Sequence, residues 1–191
     1  MSLADNGNSP ATEARTIPVW DPLVRLIHWS VAATVLLNGT VTDPESELHH
    51  WLGYVAVGLI AVRLLWGLLA PGPARLRAFR PDPRAALGHL KAVLAGDRSV
   101  HVGHNPLGAL MIWSIWSVIA VLAATGIMMG NVRFFGVEWV EELHEAAFNW
   151  LIVSVALHVC GVILDTRRTG VPLLRAMIDG KKRIPAGRDI E

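Results

Sequence analysis

The sequence predicts an all-α fold, an integral membrane four-helix bundle, from three observations. Of the 191 residues, 52% are hydrophobic and the mean hydropathy is +0.42, too apolar for an ordinary soluble domain and too short for two domains. Apolar runs fall at Leu23 to Val41, Trp51 to Ala70, Pro106 to Met129 and Ala146 to Leu164, each close to the roughly 20 residues that cross a hydrocarbon core. The basic residues are also unevenly shared among the intervening loops. The segments 39–50 and 130–143 carry only Arg133 between them, whereas 71–105 carries Arg75, Arg77, Arg80, Arg84, Lys91 and Arg98, and the stretch after Leu164 carries seven more. By the positive-inside rule both termini and the middle loop are cytoplasmic.

In chain order, residues 1–16 read as a disordered N-terminal segment, 17–183 as the membrane domain and 184–191 as a flexible tail. The first run lacks a small-residue cleavage pattern and reads as a retained span. It opens with Val19-Trp20-Asp21-Pro22, where an aspartate before proline suits a helix start. Trp20 suits the membrane interface, and Arg25 and His28 follow three residues apart. The second span opens at His49-His50-Trp51 and passes Trp66 before the stop at Pro71-Gly72-Pro73. Arg84 to Ala95 alternates basic and apolar residues, as a short helix on the membrane surface would, and Leu173 to Ile178, before Lys181-Lys182-Arg183, repeats the pattern. The third span contains no histidine, glutamate or arginine. Its polar side chains are Ser114, Ser117 and Thr125, and it reads as a wall, with Gly108 and Gly126 permitting close approach.

The histidines carry the chemistry. Ionisable side chains at membrane depth are costly and usually face a bundle interior, and four occur here: His28, His49, His144 and His158. Fourteen residues separate His144 from His158, a rise of about 21 Å that returns to nearly the same helix face. Following the spans in and out places His28 with His158 in the inner half and His49 or His50 with His144 in the outer half. Two imidazoles make a poor zinc or copper site without further ligands, but they complete the axial coordination of haem iron. Gly53 and Gly161 stand about one turn from His49 and His158, where bulk would press on a flat macrocycle. Arg63 follows His49 by fourteen residues and is expected at the inner level as a partner of haem propionates or of a quinone oxygen. Arg25, beside His28, is expected in a similar role. His89, His101 and His104 fall in the middle loop and read as solvated or interfacial. The lone Cys160 excludes an intramolecular disulfide and thioether attachment of haem.

Val19-Trp20-Asp21 through Arg25-Leu26-Ile27-His28-Trp29, His49-His50-Trp51-Leu52-Gly53-Tyr54 through Arg63-Leu64-Leu65-Trp66-Gly67, His104-Asn105-Pro106-Leu107-Gly108-Ala109, Leu143-His144-Glu145 and Leu157-His158-Val159 together resemble the bacterial cytochrome b561 family, which includes the membrane cytochrome b subunits of nickel-iron hydrogenases. The resemblance spans nearly all of residues 17 to 183. It implies a four-helix bundle holding two b-type haems stacked across the bilayer and exchanging electrons with quinone. It also favours His49 over His50, since the family's span-two ligand stands four residues before the glycine corresponding to Gly53.

The expected function is transmembrane electron transfer in a bacterial inner (cytoplasmic) membrane. It links a periplasmic redox partner, such as a c-type cytochrome or a hydrogenase, to the quinone pool as an electron-transfer subunit rather than an independent enzyme. Acidic residues at Asp43, Glu45, Glu47, Glu138, Glu141 and Glu142 suit a basic partner. A stand-alone quinone-linked oxidoreductase acting on a species such as superoxide is the alternative, and a haem-free metal transporter is a second. No nucleic-acid partner is expected, and a homodimer is compatible with the pattern.

Overall fold

The computed structural model describes residues 13–191. Four long helices dominate: α1 (Pro22–Thr40), α2 (Glu47–Leu69), α4 (Pro106–Met129) and α5 (Glu138–Thr169). A shorter α3 (Pro83–Leu94) lies between α2 and α4 after two 3-10 turns, Gly72–Ala74 and Leu76–Phe79, and α6 (Leu173–Asp179) follows α5. Among the described residues three helices, α2, α4 and α5, are long and apolar enough to cross a membrane. The 19-residue α1 is shorter, and Arg25, His28 and Asn38 lower its hydropathy.

Each helix start is chemically specified. Asp21 caps α1, its Oδ1 accepting from Val24 N at 2.9 Å. Ser46 caps α2 through His49 N, and Asn105 caps α4 by accepting from Gly108 N at 2.7 Å. In each case a side-chain oxygen satisfies an N–H that the first turn leaves without an intrahelical partner. Glu138 and Glu141 occupy the first turn of α5, and Arg167 and Arg168 the last, matching the helix dipole at both ends. Gly170 then ends α5 in the left-handed region at φ 78°.

The helices meet in an apolar core of Ala56 and Ile60 from α2, Ile119 from α4 and Leu151 from α5, with Val31 and Val35 of α1 packed against it. Large apolar side chains remain on the outside, among them Leu36, Val62, Leu65, Ile152 and Leu164. Such an apolar perimeter suits contact with lipid tails better than contact with water.

One end of the bundle carries a two-stranded antiparallel sheet, β1 (Arg15–Pro18) with β2 (Lys181–Ile184), in which Ile17 opposes Lys182. The first and last parts of the described chain are therefore tied together at one end. Arg15 and Thr16 lie inside β1, within the segment read from sequence as disordered; the rest of that segment through residue 12 lies outside the described residues. The stretch expected to be a flexible tail is also docked. Ile190 bridges to Val100 and packs with Val171 and Ile184, because three apolar side chains in a polar stretch gain more from mutual burial than from exposure.

The middle loop is fastened to the same end. Arg168 donates to Asp97 O at 2.6 Å and to Ser99 O at 3.3 Å while pairing with Asp165 at 2.6 Å. The Lys182 ammonium donates to His101 O and Gly103 O, both at 2.8 Å.

Candidate functional site

The bundle brings its histidines together in two pairs. On α1 and α5, the His28 and His158 rings lie with centroids 6.3 Å apart and planes at 53°. At the other end of the bundle, His49 of α2 and His144 of α5 are 6.4 Å apart, also at 53°. Imidazole nitrogens bind a metal at about 2 Å, so each separation leaves room for a single ion between two rings. Among the described residues no group of three or more His, Cys, Asp or Glu is placed to hold a metal ion. Two histidines without a third protein ligand suit a metal whose equatorial positions a macrocycle supplies.

The His49/His144 pair lines a cleft of about 740 Å³ that includes its open mouth, walled by Val35, Leu122, Phe148 and Leu151. Gly53 also lines the cleft, and a Cβ built there meets nothing within 4 Å, so no protein neighbour demands glycine at that position. Open space beside the histidine, apolar walls and two convergent imidazoles fit a b-type haem. Gly161, one turn beyond His158, likewise faces open space.

Thr125, one of three polar side chains in an otherwise apolar wall, orients the outer pair. Its Oγ1 lies 2.8 Å from His144 Nδ1 and 2.9 Å from Val121 O. The hydroxyl proton goes to the Val121 carbonyl, so Oγ1 accepts from His144 Nδ1–H, which leaves the Nε2 lone pair available to a metal. Thr42 stands in the same relation to His49, more loosely, at 3.4 Å. His50 is exposed, with its ring centroid 6.1 Å from that of His49, and the ring facing His144 is His49. At the inner pair His28 Nδ1 is buried without a hydrogen-bond partner.

Arg63 is 5% exposed. Its Nη2 donates to Ala74 O at 2.8 Å, and its guanidinium stacks on Phe79 at 5.3 Å and Trp116 at 5.6 Å. Gly67 makes this possible, since a Cβ there would stand 2.6 Å from Arg63 Nη1 and 2.7 Å from Leu76 Cγ. Arg25 donates to Ile178 O, which ties α1 to α6, and its Nε is buried without a partner.

The middle-loop histidines, read from the sequence as solvated or interfacial, are half-buried or buried. His89 is 9% exposed, its ring edge-on to His101 at 5.0 Å, and His101 lies 3.2 Å from Glu191. His104 packs against Trp20 at 4.5 Å and Phe79 at 4.9 Å. Part of its ring reaches the surface, but Nδ1 is inaccessible and unpartnered. Burial, reinforced by Lys182 and Arg63, pushes its pKa down to about 3, so the ring is neutral. Lys182 is pushed down to about 8, chiefly by burial.

Across residues 19–180 the chain matches the prokaryotic cytochrome b561 family. It belongs to that family. Membership makes this a membrane cytochrome with b-type haem and a part in electron transfer. A search of curated proteins found no match.

Proposed function

We propose that this cytochrome b561 carries electrons across the bacterial inner membrane through two b-type haems, one between His28 and His158 and one between His49 and His144, joining a redox partner outside the cell membrane to the quinone pool. The observation that carries the reading is the repetition of one geometry. Two histidine pairs, at 6.3 and 6.4 Å with equal interplanar angles, sit at opposite ends of the bundle, and α5 contributes to both. The haems supply reversible one-electron Fe(III)/Fe(II) chemistry.

The chain's own part is positional. Helix α5 fixes the spacing between the sites, about 21 Å along its axis, and its packing on α4 holds Thr125 against His144. Apolar walls lower the local dielectric at the outer site. The charge asymmetry and the shared end for β1, β2 and the middle loop support both termini and that loop on the cytoplasmic side. The opposite end then carries the exposed Glu45, Glu47, Glu138 and Glu142, whose charge suits a basic partner such as a c-type cytochrome.

Haem content tests the reading. Pyridine haemochrome assay of the purified membrane protein is expected to give two haems per chain. His28→Ala and His158→Ala should each remove one and the same haem, His49→Ala and His144→Ala the other, and His50→Ala neither. One haem in the wild-type protein, or loss of the same haem from His28→Ala and His49→Ala, would overturn the pairing.

A further inference from the structure

The middle loop carries an apolar face that the bundle leaves uncovered. On α3, Ala86 and His89 turn inward, His89 onto the ring of His101 at 5.0 Å, and the helix packs against α4. Leu87, Leu90 and Leu94 are 53%, 40% and 78% exposed. At 3.6 residues per turn these leucines fall within an arc of about 60°, clear of the core-facing residues. They form a second stripe beside the one that α3 buries against the bundle.

Position and charge together say what covers it. Helix α3 lies between the end of α2 and the start of α4, where the apolar perimeter of the spans runs out in the exposed Leu65, Leu68 and Leu69 of α2. Lipid already lies against those flanking spans, so the leucines of α3 extend an existing membrane contact. Between Pro71 and Gly96 the basic residues Arg75, Arg77, Arg80, Arg84 and Lys91 are set against a single acidic one, Asp82. Asp82 is spent on the cap of α3, accepting from Arg84 N at 2.9 Å and Ala85 N at 3.0 Å. Among the described residues no carboxylate pairs with any of these basic side chains, all of them exposed. Helix α6, with exposed Leu174 and Ile178, differs in this respect, since its Arg175 pairs with Asp179, which also holds Arg183.

Arg84 and Lys91 stand seven residues apart and so share a face of α3, beside Leu87 and away from the core side. Around the helix the order is core, leucines, cations, and then the small Gly88 and Ala85. Bundle, acyl chains, phosphates and water follow one another in that order around a helix lying along a bilayer. We infer that α3 is a docking helix for anionic phospholipid, its leucines entering the acyl region of the leaflet at this end of the bundle and Arg84 and Lys91 binding lipid phosphates. Attachment of the middle loop to the membrane then depends on the charge of the surrounding lipid.

The test uses the full-length protein in nanodiscs of phosphatidylcholine alone, or of phosphatidylcholine and phosphatidylglycerol in equal parts, with Cys160→Ala and a fluorophore on a single introduced cysteine. At Leu94→Cys the fluorophore is expected to be quenched by lipids brominated on their acyl chains and shielded from aqueous acrylamide. At Ala85→Cys, opposite the stripe, the reverse is expected. With only one lipid species brominated at a time, the Leu94→Cys probe should favour phosphatidylglycerol over phosphatidylcholine by about fivefold or more, the effect of one basic side chain at an anionic surface. Arg84→Gln with Lys91→Gln should bring the two lipids to parity, whereas Arg84→Lys with Lys91→Arg, which keeps both charges, should preserve the preference. Equal quenching by the two lipids with Arg84 and Lys91 in place overturns the inference. So does a Leu94→Cys probe open to acrylamide and untouched by brominated lipid, which would leave the stripe to a soluble protein or a second copy of the chain.

Discussion

Thr125 Oγ1 sits 2.8 Å from His144 Nδ1 while its own proton is directed to a carbonyl one turn back on α4. The hydroxyl therefore fixes the tautomer and the orientation of the imidazole. Outer partners of this kind typically contribute tenfold to a hundredfold to metal affinity. Thr125→Val, nearly the same shape without the hydroxyl, is expected to weaken haem retention at the His49/His144 site by about tenfold or more. Thr125→Ser should restore it. The measurement is haem transfer to an excess of an acceptor protein, and equal transfer from the valine variant and the wild type would dismiss the role.

Gly67 tests the burial of Arg63. Alanine there places a methyl 2.6 Å from Arg63 Nη1 and 2.7 Å from Leu76 Cγ, so both side chains must shift to admit it. Overpacking of this kind costs about 1–3 kcal/mol. Gly67→Ala should lower the thermal midpoint in detergent, and Gly67→Ala with Leu76→Ala should recover part of the loss. Full stability in the single variant would show that Arg63 swings out at little cost.

The long helices were legible because runs of about twenty apolar residues leave few alternatives. The spacing on α5 and the depth of each span paired His28 with His158 and His49 or His50 with His144, and the choice of His49 came from the family resemblance. What the sequence concealed lies at the end that carries the sheet. Arg15–Pro18 and Lys181–Ile184 are four residues each, too short and too charged to show strand alternation, and their partners are some 160 residues apart. Lys182 reads as one member of a basic run, yet its stem is buried and its ammonium is spent on two carbonyls. His104 reads as a polar loop residue because its walls, Trp20 and Phe79, come from distant segments. Thr125 is an ordinary polar residue of a membrane helix until α5 sets His144 beside it.

Orientation is testable by labelling. With Cys160, which is exposed on α5, replaced by alanine, single cysteines at Glu45 and Glu142 should react with a membrane-impermeant maleimide in intact cells. A cysteine at Arg84 should react only after the membrane is opened. The reverse pattern would invert the bundle and exchange the inner and outer sites.

His104 gives a pH dependence with a definite sign. Burial, with Lys182 and Arg63 nearby, holds its pKa at about 3 in the folded protein, against 6.5 for an ordinary histidine. Between those values the unfolded chain binds a proton that the folded chain refuses. Folding stability from this group is therefore complete above pH 6.5 and declines as pH falls toward 3, at up to about 1.4 kcal/mol per pH unit. Lys182, at about 8, titrates above this window and does not blur it. His104→Gln cannot take up the proton, so its stability should fall less steeply with acidification than that of the wild type. The comparison is thermal melting of both proteins in detergent from pH 7 to pH 4.5. Parallel pH profiles for the two proteins would mean that His104 gains a proton without disturbing its pocket, and would remove the neutral imidazole from this account.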